Sequence, residues 1–119
     1  MAEIHLFRNS SDALVVPIGA VLFHEGESGD DLIAVVEGQI DLHQGGNFIE
    51  AVCSGGILGE MALIDSAPRS ATATAACESR IVRVSRNDFT YLVHEHPTFA
   101  LQVMQVMSAR LRRRDHQHG

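Results

Sequence analysis

Short β-rich runs punctuated by glycine, giving way at Ser85 to a helical pattern, restrict this chain to a small set of folds. The runs cover residues 14–18, 21–23, 32–37, 39–43, 48–52, 71–76 and 80–84. Between them stand Gly19, Glu25-Gly26, Gly29-Asp30, Gly38, Gly45-Gly46 and Gly55-Gly56. Turn signals this frequent between short strands mark an all-β sandwich or barrel. Strands too short and irregular for a parallel sheet with crossover helices point to a jelly roll. Gly45-Gly46 suits a tight hairpin, because glycine accepts a positive φ. Ser85 is a good N-cap with Asp88 three residues on, and Phe89, Leu92 and Val93 follow at helical spacing. Pro97 opens a second helix at a position where its missing N–H costs nothing. Over residues 98–114 that helix would be ~25 Å long. Ala100, Met104, Met107 and Leu111 are expected on its apolar face, with Phe99, Val103 and Val106 beside them. A further helical turn is expected within residues 4–13. The fold class is therefore mainly β with flanking helices: a β-roll over about 13–84, then two C-terminal helices over about 85–114.

At 119 residues the chain is one domain's worth, 1–119 as a single unit. No apolar run approaches the ~20 residues needed to cross a bilayer. The N-terminus carries Glu3 where a signal peptide needs a basic region, so a cytoplasmic location without a membrane segment is expected. Fifteen acids face nine bases, all of them arginine, for a net charge of −6. Residues 1–109 hold fourteen of the acids and five arginines, while 110–119 hold four arginines and one acid. So acidic a body argues against general nucleic-acid binding, which needs a broad basic face. Cys53 and Cys77 sit among apolar neighbours and read as structural thiols of a reducing compartment.

The chemistry is concentrated in residues 59–72, Gly-Glu-Met-Ala-Leu-Ile-Asp-Ser-Ala-Pro-Arg-Ser-Ala-Thr. Gly55-Gly56 and Gly59 free the backbone to turn tightly before a short helical turn at 60–64. Amides at such a helix start are unpaired donors and can cradle an anion. Arg69 would add a bidentate cation for a phosphate, and Glu60 an acceptor pair suited to a sugar hydroxyl. Carboxylate, arginine and amide nest together describe a small phosphorylated sugar ligand better than they describe catalysis.

Gly59-Glu60-Met61-Ala62-Leu63 followed by Pro68-Arg69-Ser70-Ala71-Thr72 resembles the phosphate-binding cassette of cyclic-nucleotide-binding domains. That family includes catabolite activator proteins, regulatory subunits of cyclic-AMP-dependent kinase and cyclic-nucleotide-gated channels. The likeness extends to residues 19–30, to Val36-Glu37-Gly38, to residues 83–89 and to His96-Pro97. The resemblance implies a stand-alone, non-catalytic domain whose ligand is cAMP or cGMP and which uses neither a cofactor nor a metal. It gives Glu60 the ribose 2′-hydroxyl, Arg69 the exocyclic phosphate oxygen and Ser70 a supporting hydroxyl. Amides around Gly59, Met61, Ala62 and Ala71 complete the cradle, and Leu42, Ile49 and Val52 are expected against the base. In the family the last helix closes over the base, which makes residues 110–115 the candidate lid, Arg114 first. Cyclic-GMP-selective relatives often carry Thr where this chain has Ser70, so cAMP is the favoured ligand.

Other readings have less behind them. Glu60 and Arg69 alone could be a structural ion pair, and a degenerate, non-binding domain acting as a protein-interaction module keeps the same fold. A metal-dependent cupin needs an interior His-x-His with further ligands, whereas His94/His96 lie near a helix end and His116/His118 in the tail. A DNA-binding regulator places a helix-turn-helix beyond the long helix, and no such domain is expected in this chain. The remaining partner expectations are an unidentified effector protein and a homodimer formed through the C-terminal helix.

Overall fold

The structure is a computed structural model that describes the backbone of residues 3–118 and the side chains of residues 3–113. Eight strands run β1 Leu14–Val16, β2 Val21–Phe23, β3 Leu32–Glu37, β4 Gln39–Gln44, β5 Asn47–Cys53, β6 Ile57–Leu58, β7 Thr72–Ala75 and β8 Ser79–Val84. Helix α1, Glu60–Asp65, interrupts them, and α2, Arg86–Glu95, and α3, Pro97–His118, follow. The strands form two antiparallel four-stranded sheets, ordered β1-β8-β3-β6 and β2-β7-β4-β5. This is a β-roll followed by C-terminal helices.

β3 shows how the layers are built. Its run Leu32–Val35 is buried on both faces. Ile33 and Val35 face the second sheet, sharing a core with its Ile40, Leu42 and Val52 and with Leu58 and Ile81 of their own sheet. Leu32 and Ala34 face the other way, toward Phe99, Val103 and Val106 of α3 and toward Ile4 and Phe7. The first sheet is thus a middle layer with a core on each side, which is why β3 reads as a continuous apolar run and not as an alternation.

Local signals in the sequence account for most boundaries. Gly45 and Gly46, at φ 58° and 83°, make a two-residue turn between the paired Gln44 and Asn47. Ser85 caps α2 by accepting from the Asp88 amide at 3.2 Å. β6 was not expected: two residues between flanking glycines carry too little pattern to read as a strand. Residues 4–13 form successive turns, with Arg8 and Ser10 amides donating to His5 and Phe7 carbonyls, and not a helix. Cys53 and Cys77 are free, and both are exposed to solvent.

The face of α3 also differs from expectation. Phe99, Val103 and Val106 are buried, whereas Met104 and Leu111 are 59% and 47% exposed. Phe99 sets this rotation, because its ring packs edge-on against Phe7 at 5.8 Å and at a tilt against Phe89 at 5.6 Å. Extending 99, 103 and 106 by one more turn brings Arg110 to the same side.

Candidate functional site

A cavity of about 380 Å³ opens between the second sheet, α1 and the C-terminal part of α3, within the range of small-molecule sites. Its wall includes Gly59, Glu60, Met61 and Ala62, then Arg69, Ser70 and Ala71, with Leu42 and Ile49 from the hairpin. Gly59 has φ +79°, and a Cβ there would lie 2.5 Å from Arg69 Nη1. Glycine is required at this turn by both the conformation and the space. The turn puts Glu60 at the first position of α1, 3% exposed.

Arg69 is 5% exposed and is fixed from several sides. Nη2 donates to Asp31 Oδ1, and Nη1 donates to the Asp31 carbonyl at 2.9 Å. The guanidinium carbon lies 4.3 Å from the centre of the Phe23 ring. Arg83 Nη1 donates to the other oxygen of Asp31 at 3.1 Å, so one carboxylate orients two arginines. Arg69 Nε is the one buried side-chain donor without a partner among the described residues. Buried donors are almost always paired, and Arg69 lines the cavity, so its orphan N–H fits an acceptor brought by a ligand.

The opposite wall is ionic as well. Arg110 of α3 reaches Glu60 Oε1 through Nη1 at 2.6 Å. It also grips Glu50 side-on, Nε to Oε1 at 3.0 Å and Nη2 to Oε2 at 2.9 Å, while Nη2 donates to the Ile57 carbonyl at 2.7 Å. Arg113 Nη2 donates to Glu50 Oε1 at 2.5 Å. Burial pushes the Glu50 carboxyl up, but hydrogen bonds and charge from Arg110 and Arg113 outweigh it and hold the group below the usual carboxylate range. For Arg110 burial acts against the charge, and the bonds and charges of Glu50 and Glu60 more than restore it, raising its pKa.

Most residues that the sequence singles out therefore meet at one cavity. Val52 does not: it pairs with Ile40 and is buried in the core between the sheets. The irregularity between Leu42 and His43 lets consecutive residues, Ile49 and Glu50, reach the cavity instead. The Arg114 side chain lies outside the described residues. Phe23, Asp31 and Glu50 carried no signal of their own in the sequence. Among the described residues, no three His, Cys, Asp or Glu side chains come together as metal ligands. Nor is any described helix long and apolar enough to cross a membrane.

Residues 13–96 match the family described as "Cyclic nucleotide-binding domain". The chain belongs to that family. A cyclic nucleotide-gated potassium channel of Rhizobium etli is 38% identical over 86 residues, covering 72% of this chain and 24% of the channel. The crystal structure of Thermus thermophilus catabolite activator protein superposes with a TM-score of 0.80 at 28% identity, covering 88% of this chain and 52% of that one. A structure from a cyclic-GMP-dependent signalling pathway of bacterial phytopathogenesis gives 0.79 at 27% identity, covering 93% and 96%. The chain spans about a quarter of the channel's length and about half that of the bacterial regulators it matches. As a cyclic-nucleotide-binding domain, it belongs to a regulatory and not a catalytic family.

Proposed function

We propose that this domain is a sensor that binds a 3′,5′-cyclic purine nucleotide without hydrolysing it, cAMP in preference to cGMP, and passes the binding event to an effector through α3. The observation that carries this reading is the convergence, in one cavity, of Arg69 with an unpaired donor, the Glu60 carboxylate and the apolar side chains Leu42 and Ile49. An arginine supplies charge to a cyclic phosphate, a carboxylate accepts from a ribose hydroxyl, and apolar side chains take the base. Ser70, at the cavity wall beside Arg69, adds a hydroxyl to the phosphate. Two regulators among its relatives are described as cAMP-responsive, at 28% and 29% identity, which supports the adenine preference. α3 is the natural output, since Met107, Arg110, Leu111 and Arg113 line the same cavity.

Thermal unfolding with cAMP, cGMP and linear 5′-AMP tests this. A ligand at 100 times its Kd stabilises the folded state by ~2.7 kcal/mol, so cAMP should raise Tm by several degrees. cGMP should do so less and 5′-AMP hardly at all, with cAMP recovered unchanged afterwards. No shift with either cyclic nucleotide, or conversion to the linear monophosphate by the pure protein, would overturn the reading.

A further inference from the structure

Glu50 is an ionised side chain, 8% exposed, on a strand whose neighbouring inward residues, Val52 and the cross-strand Leu42, are apolar. A charge in that position is costly unless its partners are well placed. Here they are: the guanidinium of Arg110 lies side-on to both oxygens, and Arg113 takes Oε1 as well. Two bonds to Glu50 and one to the Ile57 carbonyl fix the plane of the Arg110 guanidinium. With that plane set, Nη1 is directed at Glu60 Oε1. Two carboxylates and two guanidiniums make the cluster neutral, and it ties together β5, α1 and α3, elements up to 63 residues apart.

We propose that Glu50 is a positioning residue: by fixing Arg110 it orients the Glu60 carboxylate for the ribose hydroxyl and latches α3 to the wall of the site. Glu60 gives one oxygen to Arg110 and keeps Oε2, which takes no hydrogen bond among the described residues, for the sugar. The ribose part of this inference rests on the nucleotide reading above; the latch does not. Because the same guanidinium holds the helix and the ribose carboxylate, a change at either is felt at the other.

The test compares wild type, Glu50→Gln, Arg110→Gln and the double variant in two measurements. Hydrogen exchange of residues 103–113, without nucleotide, reads the latch. Glu50→Gln should lose protection there by about tenfold or more, equivalent to ~1.4 kcal/mol. The double variant should lose no more than Arg110→Gln alone, the non-additivity expected of residues acting through one another. Titration with cAMP and 2′-deoxy-cAMP reads the ribose. Glu50→Gln should cut the preference for the ribonucleotide at least ~3-fold while leaving affinity for the deoxy ligand within ~2-fold. Equal weakening of both ligands would mean that Glu50 merely supports the fold, and would overturn the positioning role. So would unchanged exchange, or fully additive losses. Arg110→Lys, which keeps the charge but not the fork, should reproduce the lost ribose preference, and an unchanged preference there would overturn the proposal even if Glu50→Gln did not fold. Should wild type bind neither nucleotide, the proposed function and the ribose part fail together, and the exchange arm alone decides the latch.

Discussion

At the scale of single residues, Arg69 belongs both to the site and to the fold, and the two roles can be separated by experiment. Arg69→Ala removes the charge partner proposed for the phosphate, and affinity should fall ~30- to 1,000-fold, or ~2–4 kcal/mol. It also strips Asp31 of one of its two arginines, so a stability loss of ~1–3 kcal/mol is expected alongside. Arg69→Lys should keep more of the stability than of the affinity, because an ammonium cannot reproduce the fork; urea unfolding and nucleotide titration on the same preparations check both. Glu60→Gln should chiefly erode discrimination between ribose and 2′-deoxyribose, read by titrating the two ligands. Gly59, Glu60 and Arg69 were legible because they sit within eleven residues of one another in a pattern with local physical meaning. Glu50 was not, because a carboxylate in a strand of mixed polarity looks solvated until α3 is laid across it. Val52 was misplaced for a related reason: its alternation says that it faces inward, but not whether inward means core or cavity.

Among the elements, α3 depends on the rest of the molecule for its orientation. The Pro97 start and the helical period are local and were read directly. Its buried face could not be, since Phe99, Leu101, Val103, Met104, Val106, Met107 and Leu111 leave few sides of the helix without an apolar residue. The aromatic contacts of Phe99 with Phe7 and Phe89 break that ambiguity. Phe99→Ala should therefore cost ~3–5 kcal/mol in urea unfolding, while Met104→Ala and Leu101→Ala should stay within ~0.5 kcal/mol, as exposed positions do. A large loss at Met104 in protein diluted until sedimentation shows monomers would mean that the helix sits with its other face inward.

For the molecule as a whole, the ionic cluster makes the coupling of α3 to the roll depend on pH. Glu50 has a folded pKa below its unfolded value, so its contribution is complete above about 4.3 and is lost as pH falls through the lower folded value. The groups facing it are Arg110 and Arg113 from α3, and Glu60 lies across Arg110 from α1. Wild type should thus exceed Glu50→Gln in unfolding midpoint at pH 7, and the gap should narrow as pH falls below about 4.3; a constant gap would assign the stabilisation to packing. The two-sheet roll was visible in the glycine-punctuated strands, and its middle-layer character in the unbroken apolar run of β3, but the ion pairs that join roll and helix appear only with the tertiary structure. Whether Arg69 and Glu60 frame a cyclic-nucleotide site, as proposed, is decided by calorimetric titration of cAMP into wild type and Arg69→Lys. Saturable binding of one nucleotide per chain by wild type, weakened at least ~30-fold in the folded variant, is the predicted result; equal binding by the two proteins, or none of either cAMP or cGMP by wild type at millimolar concentration, would contradict it.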